Sequence, residues 1–529
     1  MKKNAAALLV TFFLLLNVAI AYAGSTVIVS VGDQSQQGNA ASYYATVSDD
    51  GRYVALMSWA TNLVINDTNN TADIFVLDRQ TGTIERVSVS NAGEQANGLS
   101  ICPFISADGR YVAFFSDASN LVQNDTNTAS DLFVRDRQTG ATIRASVYDN
   151  GSEIAYGSRC ISFPMYPIMT ANGSHVVFVM YATDTIAVRD IINAHTEIIA
   201  GGEWPTISAD GRYVAFFSGG ALVANDTNGL PDIFAYDRVT GSTELVSISS
   251  EGVQGNSQSH QPAISGDGRY VTFASRASNF APNDNLGYED IFVHDRLTGT
   301  TEVITVNESG QYANGNSFNP SISYDGRFVT YGSEASNLIS GDTNAVQDIF
   351  VYDRLAGSTT RVSVGNNGQS NGDSQYPYIS GGGSYITYIS YANNLVNGDT
   401  NGSSDSFLRN RDGDGDGYPD YNDCDDNNYS IHPNAAEIKH DGIDQDCNGY
   451  DLTIDILLAE YASQQDKLTV EAVSALGANA NLQLMNYGPM TWKSSQQKWT
   501  VTVQPAGGNP GSVTVYGIEG SEAKTVTIK

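Results

Sequence analysis

The stretch Arg411-Asp-Gly-Asp-Gly-Asp-Gly-Tyr-Pro-Asp-Tyr-Asn-Asp423 places acids at fixed intervals. Counted from Asp412, positions 1, 3 and 5 are Asp412, Asp414 and Asp416, and position 6 is Gly417. Tyr418 at position 7 would offer its carbonyl, and Asp420 and Asp423 stand at positions 9 and 12. Hard cations such as calcium take six to eight oxygens, and a twelve-residue loop with this spacing wraps them around one ion. Two features depart from that pattern. Position 12 is Asp rather than the longer Glu, and a strand and Cys424 flank the loop where helices would stand. The expectation is a calcium loop that holds structure rather than opening a groove.

A second acidic group, Asp441, Asp444, Asp446, Asn448 and Asp451, surrounds Cys447. His432 and His440 lie in the same stretch and could add a softer site, although lone histidines are more often ordinary surface residues. A third kind of acidic set recurs along the chain. It comprises Asp67, Asn69 and Asp73; Asp125, Asn127 and Asp131; Asp226, Asn228 and Asp232; Asp342, Asn344 and Asp348; and Asp399, Asn401 and Asp405. Each set could give three side-chain oxygens to calcium. Asp and Asn also stabilise turns by bonding their own backbone, so both readings stand. Five copies cannot all be catalytic. Arg79, Arg137, Arg238, Arg296 and Arg354 each follow an Asp, and salt bridges between neighbouring repeats are the expected role. No nucleophile elbow, zinc-protease motif or phosphate loop occurs, so no catalytic or organic-cofactor residue is assigned.

The elements that carry these sets repeat. The turn "DGR" recurs at Gly51, Gly109, Gly211, Gly268 and Gly326, with weaker copies at Gly173 and Gly383. Each copy reads as four strands. In the second, these are 103–106, 110–116, 131–136 and 142–147. A period of this length without helical periodicity fits a propeller blade, and seven copies predict seven blades. By strand parity, all the long loops share one face. The last copy lacks an outer strand, whereas Ser25-Thr-Val-Ile-Val-Ser-Val31 matches one. Residues 26–31 are therefore expected to close the ring.

The phrases "S-x-D-G-R-Y-V-A-F" and "D-I-F-V-x-D-R-x-T-G", over roughly 25–410, resemble the TolB-type, WD-repeat-like propellers of exported bacterial proteins. The resemblance implies the fold, and such propellers serve both as binding scaffolds and as parts of enzymes. The phrases "DGDGDGYPDYNDCDD" and "DGIDQDCNG" resemble the MopE-type acidic motif of secreted bacterial proteins. That resemblance implies metal binding, and copper is associated with the type. The hard Asp oxygens favour calcium.

The remaining chain sets the frame. Residues 1–23 read as a signal peptide: Lys2 and Lys3, an apolar run, then Ala21-Tyr22-Ala23. No later run is long enough to span a membrane. The predicted organisation is a signal peptide at 1–23, a propeller at 24–410, an acidic module at 411–451 and an immunoglobulin- or fibronectin-like β-sandwich at 452–529. In the last, Trp492 and Trp499 are expected in the core. Four cysteines in an exported chain favour disulfides, and these domains favour Cys102–Cys160 and Cys424–Cys447. A net charge of −31 repels nucleic acid and anionic lipid. The expected partner is an envelope or extracellular protein or polysaccharide. A non-enzymatic scaffold is the first expectation. A polysaccharide-active lyase or hydrolase with its site in the channel is the second.

Overall fold

A computed structural model describes residues 25–33, 35–154, 157–158, 168–282, 287–365, 368–412, 423–425 and 428–529. The predicted signal peptide lies outside them. Among the described residues the chain is all-β apart from two short 3-10 turns.

Among the described residues from 26 to 410, the strands form six four-stranded antiparallel sheets, one three-stranded sheet and one two-stranded sheet, Val364–Gly365 with Gly368–Gln369. The first sheet is Ser42–Val47, Tyr53–Ser58, Asp73–Asp78 and Thr83–Arg86, and the other four-stranded sheets repeat that order. The three-stranded sheet is His175–Met180, Thr185–Asp190 and His195–Gly201. A tight turn between Met180 and Thr185 stands where the other repeats carry their long loop. Thr26–Ile28 pairs antiparallel with Asp405–Asn410 and completes the last sheet.

The sequence explains why the sheets stack. The second to fourth residues of the third strand are buried in every repeat, and Asp348–Asp353 is buried along its whole length. A strand covered on both faces needs apolar residues at every central position rather than alternation. Cross-strand aromatic pairs fill the space between sheets. Phe114–Phe133, Phe273–Phe292 and Tyr388–Phe407 have ring centroids 5.9, 5.9 and 5.8 Å apart. Arg137 bonds Glu85 of the preceding sheet at 2.6 Å and lies 4.3 Å over the Tyr53 ring. Arg238 reaches Glu197 in the same manner at 2.7 Å. The repeated arginines therefore join neighbouring repeats.

A ring of hydrogen bonds links the "DGR" turns around one axis. Asp49 N donates to Ala107 O (3.0 Å), Ala107 N to Ala171 O (2.9 Å), Ala171 N to Ala209 O (3.1 Å) and Ala209 N to Gly266 O (3.0 Å). Gly266 N then donates to Tyr324 O and Tyr324 N to Gly381 O, both at 2.9 Å. Gly381 N closes the circle on the Asp49 carboxylate at 2.9 Å. Sheets arranged radially and joined in this way make a β-propeller.

The last repeat runs past residue 410. Arg411 lies 4.4 Å over Phe328 and bonds Gly383 O at 3.1 Å, as the repeated arginines do. Asp412 N bonds Asn410 Oδ1, matching Gln80 N on Asp78 Oδ1 in the first repeat. The acidic stretch thus leaves the last sheet where the other repeats make their outer hairpin.

Residues 452–529 form a five-stranded sheet, with Asp455–Ala462 and Lys467–Val473 near its centre, and a four-stranded sheet built around Ser512–Gly517. One apolar cluster draws on both, including Leu468, Val470, Leu484 and Val515. Trp499 is buried in it and donates to Gly477 O at 2.9 Å. Trp492 packs against that ring, 5.6 Å between centroids. An immunoglobulin-like sandwich has about seven strands. The segment has nine shorter ones, because turns near Asn486 and Gln497, both at positive φ, break the runs.

Candidate metal sites and a tyrosine-lined cavity

Among its described residues the acidic module is irregular backbone stitched by a disulfide. Cys424 and Cys447 are bonded, Cα–Cα 5.6 Å, as expected from the sequence. Cys102 is also disulfide-bonded, while Cys160 lies outside the described residues. Of the calcium loop, Asp412 and Asp423 are described. Asp414, Asp416, Tyr418 and Asp420 lie outside the described residues, so the loop's ligand geometry is not part of this structure.

The second acidic group divides in two. Asp444 and Asp446 come together with Glu437, their carboxylate oxygens within 4.8 Å of one another. Backbone amides fix all three. Asn448 N and Gly449 N donate to Asp444 at 3.1 and 2.6 Å. Asn448 N also donates to Asp446 at 3.1 Å, and Asp446 N and Leu452 N donate to Glu437 at 2.8 and 3.1 Å. Such bonds fix the orientation of the carboxylates. Three carboxylates so close repel one another, and a cation relieves that repulsion. Asp441 and Asp451 stand apart. Asp441 takes Gln445 Nε2 at 2.7 Å, and Asp451 takes Gly442 N at 3.0 Å while its Oδ1 is buried without a partner. Asn448 uses its Oδ1 on Tyr450 N.

Asp423, Cys424 and Cys447 also cluster, but the two sulfurs are spent on their mutual bond and cannot serve as thiolates. His440 Nε2 faces Asp455 at 3.2 Å, and Lys439 Nζ reaches Asp455 at 2.7 Å and Glu522 at 2.5 Å. These contacts tie the module to the C-terminal sheets. Glu437 escaped the sequence reading because it lies seven residues before Asp444 in an unremarkable "AAEIKH" stretch.

The repeated acidic sets are compact and mostly internally satisfied. In the first, Ser88 Oγ donates to Asp73 Oδ1 at 2.6 Å, and Asn69 and Gln95 donate to Asp73 Oδ2 at 3.1 and 2.8 Å. In the second, Asn127 Nδ2 donates to Asp131 Oδ2 at 3.0 Å and to Ile154 O at 3.2 Å. In the fourth, Asn344 Nδ2 donates to Asp348 Oδ2 at 2.8 Å and to Ser370 O at 3.0 Å.

Of the two readings of the sequence, the asparagine side chains take the turn-forming one. Their side-chain oxygens do not point at a shared ion but accept the backbone amide two residues on. Thr71 N donates to Asn69 at 3.1 Å, Ala129 N to Asn127 at 2.9 Å and Leu230 N to Asn228 at 2.9 Å. Val346 N donates to Asn344 at 3.5 Å and Ser403 N to Asn401 at 2.8 Å. This is the turn-forming role of Asn. In four of the five sets it leaves the amide nitrogen, a donor that cannot ligate a cation, facing the carboxylate. Asn69, Asn127, Asn228, Asn344 and Asn401 are therefore loop-closing residues here, and the acidic oxygens of each set come from its aspartates alone.

The aspartates have a counter-ion in three sets. Arg86, on the next strand, comes to 3.5 Å from both Asp67 and Asp73. Arg144 does the same for Asp125 and Asp131 at 3.2 and 3.5 Å, and Arg361 for Asp342 and Asp348 at 3.1 and 3.7 Å. In these three sets a guanidinium thus stands between the two carboxylates. Burial still raises the pKa of Asp73 and Asp131, and that of Asp125 rises to about 6.

At the long-loop end of the inner strands, a cavity of about 480 Å³ is lined by Tyr43, Tyr44, Met57, Tyr376 and Tyr391 among others. Tyr44 and Tyr376 meet edge to face, 5.4 Å between centroids. They also share a strained backbone. Tyr44, Cys102, Trp204, Gln261, Asn319 and Tyr376 occupy one equivalent position, all at φ between +51° and +55°. The pairing register slips there in each strand. Bulges with non-glycine residues at positive φ re-aim side chains and recur at binding sites. The sequence offered no sign of this ring of bulges, because "S-x-x-P-x-I" reads as ordinary strand.

Comparison with known proteins finds one family match and several structural likenesses. The Cu-binding MopE family, described as a metal-binding motif, matches residues 423–451. No curated protein sequence matches the chain. Among solved structures, the chain is similar to TolB from Acinetobacter baumannii at 14% identity and TM-score 0.34, covering 61% of this chain and 63% of that one. It is similar to an oligogalacturonate lyase from Vibrio parahaemolyticus at 13% identity and TM-score 0.44, covering 74% and 98%. The β-propeller domain of the Trilobed protease from Pyrococcus furiosus aligns at 11% identity and TM-score 0.41, covering 66% and 91%. The match thus spans less than two thirds of the TolB chain.

Proposed function

We propose that this chain is an exported, metal-binding, non-enzymatic scaffold. It comprises a seven-bladed propeller at 24–410 closed by its N-terminal strand, an acidic metal module at 411–451, and a β-sandwich at 452–529. A leader at 1–23 directs it to the periplasm or the cell exterior. The observation that carries the reading is the Glu437/Asp444/Asp446 cluster inside the matched motif. Seven links in the hydrogen-bonded ring around the axis support the blade count. No helix among the described residues is long and apolar enough to cross a membrane.

The metal is of the calcium class. The family name points to copper, but copper prefers imidazole and sulfur. Both described cysteines of the module are in a disulfide, and His440 is engaged with Asp455. Six or more oxygens suit calcium better. The partner is an envelope or extracellular protein or a polysaccharide, received on the long-loop face, where the tyrosine-lined cavity opens an amphipathic surface. The test is metal stoichiometry by elemental analysis and calorimetry on the mature protein. The Glu437→Gln plus Asp444→Asn variant should lose one calcium per chain and keep its fold. Unchanged stoichiometry, or copper bound in preference to calcium, rejects this assignment.

One observation favours a second reading. His260 Nε2 lies 3.2 Å from the buried Glu289 carboxylate, with the Trp204 ring 5.8 Å away, beside inner strands. A positioned acid–imidazole pair suits proton abstraction from a sugar acid. Turnover of a uronate polymer, lost in His260→Ala, would replace the scaffold reading with a polysaccharide-active enzyme.

A further inference from the structure

The five acidic sets differ in one residue. The outer-strand position that pairs with the third-strand Phe is Arg86, Arg144 and Arg361 in three sheets. In those sheets the guanidinium stands between the two carboxylates of the set. The same register position is Leu245, opposite Phe234, in the fourth sheet, and Ile28, opposite Phe407, in the last. These two sheets retain both acids and have lost the counter-ion.

The last sheet compensates with neutral donors. Gln37 Nε2 bridges Asp399 and Asp405 at 2.7 and 2.8 Å. Asn401 Nδ2 gives Asp405 Oδ2 a further bond at 3.0 Å, and Ser30 Oγ gives Oδ1 one at 2.6 Å. The fourth sheet does not compensate to the same degree. Ser247 Oγ donates to Asp232 Oδ1 at 2.5 Å. Asn228 Nδ2 is directed to Gly255 O at 3.2 Å, and Gln254 Nε2 bonds Asp226 at 3.1 Å. Asp232 is fully buried, and its Oδ2 has no well-formed hydrogen bond. Burial raises its pKa by more than Ser247 and the nearby Asn228 lower it. A buried carboxylate oxygen without a partner is costly. In the sister sheets the same oxygen faces the guanidinium and a well-directed amide.

We propose that Asp226 and Asp232 hold a calcium-class divalent cation in the place that Arg86, Arg144 and Arg361 fill in the sister sheets. Asp232 Oδ2 and the Asp226 carboxylate supply the charge, and solvent completes the shell at this half-exposed loop. Two protein carboxylates make a weak site, with a dissociation constant on the order of 10⁻⁴–10⁻³ M, suited to an exported protein. The site is separate from the acidic module and stands whether or not that module binds metal. It also gives a physical account of the repeated loops. The frame is one structural device that accepts either an internal cation, arginine, or an external one.

The test uses the mature full chain and calcium chloride, with sodium chloride at equal ionic strength as control. Wild type should gain thermal stability in millimolar calcium. Leu245→Arg, which restores the sister residue, should remove one weak calcium per chain in equilibrium dialysis. It should also raise the melting temperature measured in chelator. Asp226→Asn should likewise lose that calcium and leaves the core residue Leu245 in place, should the arginine variant fold poorly. Stoichiometry unchanged in both variants overturns the proposal. So does a wild-type protein stabilised by acidification to pH 5 and indifferent to calcium, since Asp232 would then carry a proton.

Discussion

At the residue scale, the glycine of each "DGR" turn is demanded twice. Gly109 has φ +71°, and a Cβ there would stand 2.1 Å from Tyr53 Cδ2 of the preceding sheet. Gly82 has the same φ of +71° with open space around it. Gly82→Ala should therefore cost about 1 kcal/mol, the left-handed penalty alone. Gly109→Ala should cost about 3 kcal/mol, because overpacking between sheets adds to it. Chemical denaturation compares the two, and equal costs would mean that the Tyr53 contact yields freely. The neighbouring arginine sets an acid limit. Arg110 forks onto Asp136 at 3.0 and 2.7 Å and holds that carboxyl at about 2, below its ordinary 3.8. Asp78, Asp237 and Asp295 are depressed by the same contact. A depressed carboxyl stabilises the fold above its unfolded value and loses that contribution as pH falls through the folded one. Arg110→Met should be modestly less stable at pH 7, as expected for a solvent-screened pair. Its melting temperature should converge on that of wild type between about pH 4 and about pH 2. A constant gap would assign the arginine's effect to its packing on Tyr111.

At the element scale, the repeat was legible because its period, its turn glycine and its apolar third strand are all local signals. The closing strand was legible as well, since Thr26–Ile28 resembles the outer strands it replaces. What escaped was set by register. Arg86 lies thirteen residues beyond Asp73, and only the hairpin pairing of Phe75 with Arg86 brings it over the acids. Sequence spacing alone could not separate a calcium set from an arginine-neutralised one. Nor could it orient Asn127 or Asn344, whose oxygens turn to the loop backbone while their nitrogens meet the carboxylates. The six bulged inner positions were hidden for a related reason: positive φ at Tyr44 or Trp204 has no local signature, being imposed by sheet packing. Glu437 joined the acids through loop tertiary contacts rather than through any spacing. The closing strand carries its own prediction. Removing residues 25–31 exposes the edge of Asp405–Asn410 and uncovers Phe407 and Leu408, both fully buried. An unpaired edge also invites association. The shortened protein should melt several degrees lower and tend to self-associate in sedimentation. An unchanged melting temperature would refute closure by this strand.

At the scale of the whole molecule, the acidic module is anchored on two sides by different means. On one side the chain leaves the propeller directly from Arg411, which is locked over Phe328. On the other, Lys439 bridges Asp455 and Glu522, and Thr453 N donates to the buried Glu519 at 3.1 Å. Residues 437–453 are thus coupled to the C-terminal sheets, and the carboxylates of Glu437, Asp444 and Asp446 sit within that coupled part. A cation that relieves their repulsion should therefore stabilise the C-terminal sheets by linkage, while the propeller is held by its own ring of bonds. Calorimetry in the Leu245→Arg background, where the fourth sheet has its own cation, isolates the effect. Chelator should lower the transition of the C-terminal part by several degrees and leave the propeller transition in place. Lys439→Met should shrink that chelator response, because the bridge transmits the order of the module to Asp455 and Glu522. If both transitions fell equally with chelator, the module would be coupled to the propeller through Arg411 instead, and Arg411→Met would be the variant that separates them.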